Sequence, residues 1–140
     1  MLNFLDNANF NTMQKSLDIV TQRMKVTAQN ISNVNTPFYK AKKLEFENLL
    51  EERLAKLNNS YALQMRYKGA DKKEALKKYL GNLEPVIYTD KSTETRVDGN
   101  NVDIDYENLE MARIQLQYSY MIRKVNDEYN LIRHAINEGR

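Results

Sequence analysis

Apolar residues recur in alternating steps of four and three over two long stretches, one near each end of the chain. In the first, Met13, Leu17, Val20, Met24, Thr27, Ile31 and Val34 occupy the a and d positions of a heptad, with Thr27 its one polar member. Ile19, Val26 and Ala28 widen that face. In the second, Met111, Ile114, Tyr118, Met121, Val125, Tyr129, Ile132 and Ile136 form a similar row, and Leu109, Leu116 and Tyr120 add another. The spacing predicts helices over residues 10–35 and 103–137. At 1.5 Å per residue the heptad row from Met13 to Val34 would span about 33 Å. The first helix should stop near Asn33 to Asn35, because Asn tolerates the left-handed conformation of a helix end and Pro37 biases Thr36 away from the helical region. Asp103 or Asp105 is the expected cap of the second, where acids also complement the positive helix start.

The middle, residues 36–102, is shorter in period and more polar. Leu44 to Leu57 predicts a short helix with Phe46, Leu49, Leu50, Leu54 and Leu57 on one face, ended by Asn58-Asn59-Ser60. Asp71 with Glu74 has capping-box spacing and would open another helix through Leu80, closed by Gly81. Val86-Ile87-Tyr88-Thr89 is β-branched and aromatic, and a small β-hairpin with Thr93 to Val97 is expected. The fold class is therefore mainly α: two long end helices paired as a coiled-coil-like inner domain, with a middle insertion of short helices and a hairpin.

Composition narrows the function more than the fold. The 140 residues are 41% hydrophobic and 29% charged, and the mean hydropathy is -0.72. Such polarity suits an elongated molecule, or one whose stripes are completed by partners. The formal net charge of +2 makes no strong field for nucleic acid or an anionic membrane. With no cysteine, disulfides, thiolate catalysis and Cys-based zinc sites are excluded. Met1 to Asn7 has neither a basic start nor an apolar run of about 7–15 residues, so no cleaved signal peptide is expected. No stretch approaches the roughly 20 apolar residues of a membrane span.

Candidate chemistries fail on spacing. Asp98, Asn100, Asp103, Asp105 and Glu107 superficially resemble a calcium loop, but Gly99 is second and Val102 fifth, against the EF-hand order. A turn followed by a capped helix explains them. His134 is the lone histidine and has no nucleophile or ligand set around it. The lysines between Lys68 and Lys78 read as a solvated helix face, and the four glycines are too scattered for a phosphate loop. No catalytic, cofactor-binding or metal-binding residues are expected. The stripes alone fit an ordinary helical bundle as well as an intermolecular assembly.

Two motifs separate those readings. Ala28 to Lys40 reads AQNISNVNTPFYK and resembles the signature of bacterial flagellar rod and hook proteins. Asn30, Ile31, Asn33, Asn35, Thr36, Pro37, Tyr39 and Lys40 match it. Phe38 stands where the family has Gly, which makes a positive φ there less expected. Asp98, Gly99, Asn100, Asn101, Val102, Asp103 and Asp105, followed by Glu107, resemble an element of the proximal rod proteins of the B branch. The tail, with Gln115 to Tyr118 and Asn130 to Ile136, resembles that branch too. The matches cover both ends, over half the chain, and leave residues 44–88 without a resemblance.

The resemblance implies a non-enzymatic structural subunit of the proximal rod, the drive shaft that carries torque from the MS ring to hook and filament and on which motility depends. It implies partners among the other rod proteins, the junction protein between ring and rod, and copies of the chain itself. It also implies export by the flagellar type III apparatus, without a cleaved signal peptide, to the basal body outside the cytoplasmic membrane. Neither nucleic acid nor a small-molecule substrate is implied. The sister C branch of proximal rod proteins is the nearest rival, and a helical adaptor or regulator binding partners or nucleic acid is another. The end stripes would then be the assembly seam, and the Asn-rich motifs would brace its junction.

Overall fold

The structure, a computed structural model, describes residues 8–65, 83–91 and 96–138. Its elements in chain order are helix α1 (Ala8–Ser32), strand β1 (Lys42–Glu45), helix α2 (Glu47–Met65), strand β2 (Val86–Thr89) and helix α3 (Ile104–Glu138). The protein is mainly α, with one two-stranded antiparallel sheet. The chain forms two compact units: the described residues up to Lys43 together with those from Thr89 onward, and the described part of Leu44–Tyr88.

α1 and α3 pack against each other, and Asn30 near the end of α1 is bonded to Glu107 near the start of α3. They therefore run antiparallel. Stepping away from that bond, the heptad rows come into register: Thr27 with Met111, Met24 with Ile114, Val20 with Tyr118, Leu17 with Met121 and Met13 with Val125. Ile114 is the most completely covered apolar side chain, at 1% exposure. Ile19, Val20, Val26 and Thr27 are buried with it, and Met13, Leu17, Met24, Ile31, Val34, Met111, Met121, Val125 and Ile132 are half-buried. Cover runs out along α3, where Tyr118, Tyr129 and Ile136 are exposed, as are Leu109, Leu116 and Tyr120. Ala28, expected to widen the buried face of α1, is exposed as well.

Helix ends follow local chemistry. The Asp103 carboxylate accepts the N–H groups of Asp105 (3.0 Å) and Tyr106 (3.2 Å), while Glu107 N–H bonds to the Asp103 carbonyl at 2.9 Å. Asp103 is thus the cap, with Asp105 and Glu107 in the first turn. α1 ends in a tightened turn, in which Asn33 N–H reaches both Gln29 O (3.2 Å) and Asn30 O (3.1 Å).

The middle departs from expectation in three places. The hairpin partner expected for β2, Thr93 to Val97, lies mostly outside the described residues. Among the described residues β2 pairs with Lys42–Glu45, far upstream, a partner the sequence does not announce. Lys42 to Glu45 has no apolar alternation to announce a strand, and polar side chains from α1 and α3's approach hold its entry, as described below. Consequently Leu44 lies in a strand, and the helix begins only at Glu47. That helix also runs through Asn58-Asn59-Ser60 to Met65. Asn and Ser cost a helix only tenths of a kcal/mol each, and neither Gly nor Pro is present to stop it. The helix expected over Asp71 to Leu80, the second half of the hairpin at residues 92–95, and the lysines from 68 to 78 lie outside the described residues.

Candidate functional site

The first unit buries an unusual share of polar side chains: Thr27, Asn30, Asn100, Asn101 and Glu107. Most of them meet where α1 ends and α3 begins. None of the buried side-chain nitrogens and oxygens among the described residues lacks a hydrogen-bond partner. Such a network is stabilising only when fully satisfied, so its completeness is its main property.

Each asparagine holds backbone from a distant part of the chain. Asn30, on the last turn of α1, treats Lys42 as a strand neighbour would. Its Oδ1 accepts the Lys42 N–H at 2.9 Å and its Nδ2 donates to the Lys42 carbonyl at 2.8 Å. The second Nδ2 hydrogen goes to Glu107 Oε1 at 2.9 Å, and the Tyr39 hydroxyl donates to Oδ1 at 3.3 Å. Asn101 sits at the mouth of the sheet. Asp90 N–H bonds to Ala41 O at 2.7 Å, but the reciprocal bond is opened to admit the amide of Asn101. Ala41 N–H donates to its Oδ1 at 2.7 Å, and its Nδ2 donates to Asp90 O at 3.0 Å. Asn100, fully buried, collects the helix end: its Nδ2 faces the carbonyls of Asn33 (3.0 Å), Val34 (3.1 Å) and Thr36 (3.0 Å). Its Oδ1 accepts Val102 N–H at 2.7 Å. These carbonyls belong to the turn just beyond Ser32, the last residue of α1.

The two loops that carry these residues are shaped by local turns. Thr36-Pro37-Phe38-Tyr39 is closed by Tyr39 N–H to Thr36 O at 3.3 Å. Pro is second and the third residue has positive φ, the type II pattern that favours Gly third. Phe38 occupies that position with φ 60°, contrary to the sequence expectation. The conformation is imposed from outside: Phe38 N–H is held by Asp98 O at 3.0 Å. A Cβ in this region costs about 1–2 kcal/mol. Phe38→Gly should therefore raise monomer stability by about 1 kcal/mol, read as a higher urea midpoint at unchanged slope. A lower midpoint would contradict the turn assignment. Opposite, Gly99 N–H closes a turn on Arg96 O at 3.1 Å, and Gly99 is buried at φ 76°, where a side chain would meet both backbone strain and lack of room.

Sequence reasoning missed Arg96. Its guanidinium donates to Val34 O at 3.1 Å and pairs with Asp98 at 3.2 Å, tying the second loop to the end of α1. The remaining motif residues sit more loosely. Asn33 bonds locally, with Nδ2 to Gln29 O at 2.7 Å and Oδ1 accepting the Thr36 hydroxyl at 3.1 Å. Asn35 and Pro37 are exposed. His134 lies exposed beside Asn130, Arg133 and Asn137 on the outer end of α3, remote in sequence from the network.

Burial pushes the Glu107 carboxyl above its ordinary pKa, and Glu110 and Asp103 add to this. The Asn30 hydrogen bond and the Lys43 charge oppose it. Burial, and then the nearby Glu107 charge, raise the Tyr39 phenol. A raised folded-state pKa gives stability that is present below the unfolded value and lost as pH rises through the folded one. Glu107→Gln keeps an oxygen for Asn30 and removes the titration. The stability difference between native chain and variant should therefore change steadily from acid to neutral pH, with the native chain relatively weaker at neutral. A difference independent of pH would contradict this.

No protein-family model matches the chain. Curated relatives do. A flagellar basal body rod protein FlgB from Borrelia hermsii is 38% identical over 105 residues, covering 74% of this chain and 76% of its own. The chain belongs to the FlgB family of flagellar basal body rod proteins. FlgB of Bacillus subtilis (strain 168) is 29% identical over 136 residues, 97% of this chain and 98% of that protein. FlgB of Escherichia coli (strain K12) is 28% identical over 142 residues, 99% of each chain. The likeness to FlgB spans the helices, the corner and the middle together. It settles the branch in favour of B over C. No helix among the described residues is long and apolar enough to cross a membrane.

Proposed function

We propose that this FlgB-family chain is a structural subunit of the proximal rod, in the shaft that carries torque from the MS ring to the hook and filament. The observation that carries this reading is the α1–α3 pair closed by Asn30, Asn100 and Asn101. A shaft element must resist twisting, and packed side chains with a fully bonded corner are not continuously deformable. The apolar row left exposed toward the far end of α3 supplies surface for neighbours: other rod proteins, the junction protein at the ring, and copies of the chain. Export through the flagellar type III apparatus belongs to the same reading, as does a location in the basal body outside the cytoplasmic membrane. The role is mechanical rather than catalytic.

Deleting the gene in its motile host should abolish swimming, and basal bodies purified from the complemented strain should contain the chain in the rod fraction. A deletion strain that swims normally would contradict the proposal.

A further inference from the structure

The turn that opens the second loop joins Asp98 to Gly99, and the corner needs both residues. Gly99 is buried at φ 76°, in a conformation and a space that exclude a side chain. Asp98, half-buried, is held at all three of its oxygens. Its backbone carbonyl accepts Phe38 N–H at 3.0 Å, Oδ1 accepts Asn100 N–H at 3.2 Å, and Oδ2 pairs with the Arg96 guanidinium at 3.2 Å. Asp followed by Gly is also the aspartyl pair most prone to react with itself, because Gly has no side chain to hinder its own nitrogen. The sequence contains this pair once.

In that reaction the Gly99 nitrogen attacks the Asp98 carboxyl carbon. A C–N bond forms, a carboxyl C–O bond breaks, and the N–H proton leaves with the carboxyl OH as water, giving a five-membered imide. Water then adds back at either imide carbonyl. Addition at the side-chain carbonyl restores Asp. Addition at the main-chain carbonyl breaks its bond to the Gly99 nitrogen and routes the backbone through the side chain. The product, isoaspartate, has the same mass and one more backbone carbon. In the closed corner both reacting groups are engaged. Gly99 N–H donates to Arg96 O at 3.1 Å in a buried site, and both carboxyl oxygens have partners. Ring closure gives up the first bond and draws the carboxyl group away from Asn100 and Arg96.

We propose that Asp98–Gly99 is a latent isoaspartate site, silent while the corner is closed and reactive while it is open, and that isomerisation there damages the corner it belongs to. After isomerisation the oxygen that held Phe38 N–H belongs to a free carboxylate outside the backbone. The added carbon shifts Gly99 and with it Asn100, whose amide must reach the carbonyls of Asn33, Val34 and Thr36. A reaction confined to open molecules proceeds at a rate set by the fraction that is open. The site therefore counts the time a chain spends with its corner open, and it stands independently of the rod reading.

Full-length chain held at neutral pH, in buffer and in concentrated urea, provides the test. Peptide mapping separates the two forms of residue 98 at unchanged mass, and a protease that cuts before Asp but not before isoaspartate identifies them. Isoaspartate at 98 should accumulate in urea, and in buffer it should form at least about tenfold more slowly, as for an opening equilibrium that favours the closed corner. Arg96→Ala releases Oδ2, so this variant should isomerise faster than the native chain in buffer and at the same rate in urea. Chain isomerised in urea, separated and refolded, should have a lower urea midpoint than unmodified chain carried through the same steps. Equal rates in buffer and urea would overturn the proposal, as would absence of the product in urea. So would Arg96→Ala that isomerises no faster than the native chain in buffer, or an isomerised chain as stable as the unmodified one.

Discussion

Ile114→Asp should unfold the α1–α3 pair, while Leu116→Asp, two residues further along the same helix, should leave the isolated chain as stable as before. Ile114 is 1% exposed and faces α1 at the register of Met24. Removing its side chain to Ala alone costs about 2–5 kcal/mol through lost transfer energy and the cavity left behind. Asp adds a buried charge, at a further cost of several kcal/mol. A domain has only about 5–15 kcal/mol in total, so this substitution consumes most of it. Leu116 is 73% exposed, and such surface changes normally stay within about 0.5 kcal/mol. Urea denaturation followed by circular dichroism decides the matter. Equal effects at the two positions would mean that α3 packs on a different face.

Asn100→Asp should be more damaging than Asn100→Ala, although it is much the smaller change in shape. The amide nitrogen of Asn100 faces three carbonyl oxygens, those of Asn33, Val34 and Thr36. Ala abandons them and leaves the buried Val102 N–H without its acceptor, a cost of about 1–3 kcal/mol. Asp restores that acceptor but turns a second carboxylate oxygen toward the three carbonyls. A buried, uncompensated charge of this kind costs about 3–5 kcal/mol. A protonated Asp could donate to one carbonyl, so the loss should shrink on acidification, while that of Asn100→Ala should be less sensitive to pH. If Asp is tolerated better than Ala at neutral pH, the amide orientation described here is wrong.

The parts of this fold that were legible in the sequence are those whose physics is local. Helical pairing shows as a repeat of four and three because every residue in the row answers to the same neighbour. Asp103 was readable as a cap because its partners, the N–H groups of Asp105 and Tyr106, are two and three residues away. The corner was legible only as a family motif. Asn30 answers to Glu107, and Asn101 to Ala41, across 77 and 60 residues. A hydrogen bond to a distant backbone group asks nothing of the residue type there, so it leaves no pattern in the partner.

The same reason explains the strand that was missed. Val86 to Thr89 announces itself by β-branched and aromatic composition, but Lys42 to Glu45 is a strand because Asn30 and Asn101 hold Lys42 and Ala41 extended. Phe38 is a further case: residue preference argued against positive φ, and the tertiary bond to Asp98 overrode it. The heptad rows, for their part, could not reveal which of their members a single chain would cover. The answer, cover at Ile114 and exposure at Tyr129 and Ile136, depends on where α1 lies against the longer α3.

The central claim is that α1 and α3 of one chain form a fixed antiparallel pair inside the flagellar rod. Leu17→Cys with Met121→Cys tests it most directly, in basal bodies purified from cells whose only copy of the chain is this variant. The register set by Asn30 and Glu107 brings these two half-buried positions opposite each other. The account predicts that the chain is recovered in the rod fraction and that mild oxidation joins the two cysteines within one chain. Recovery of the chain in the rod with these cysteines unjoined, or joined only between chains, would contradict the pairing.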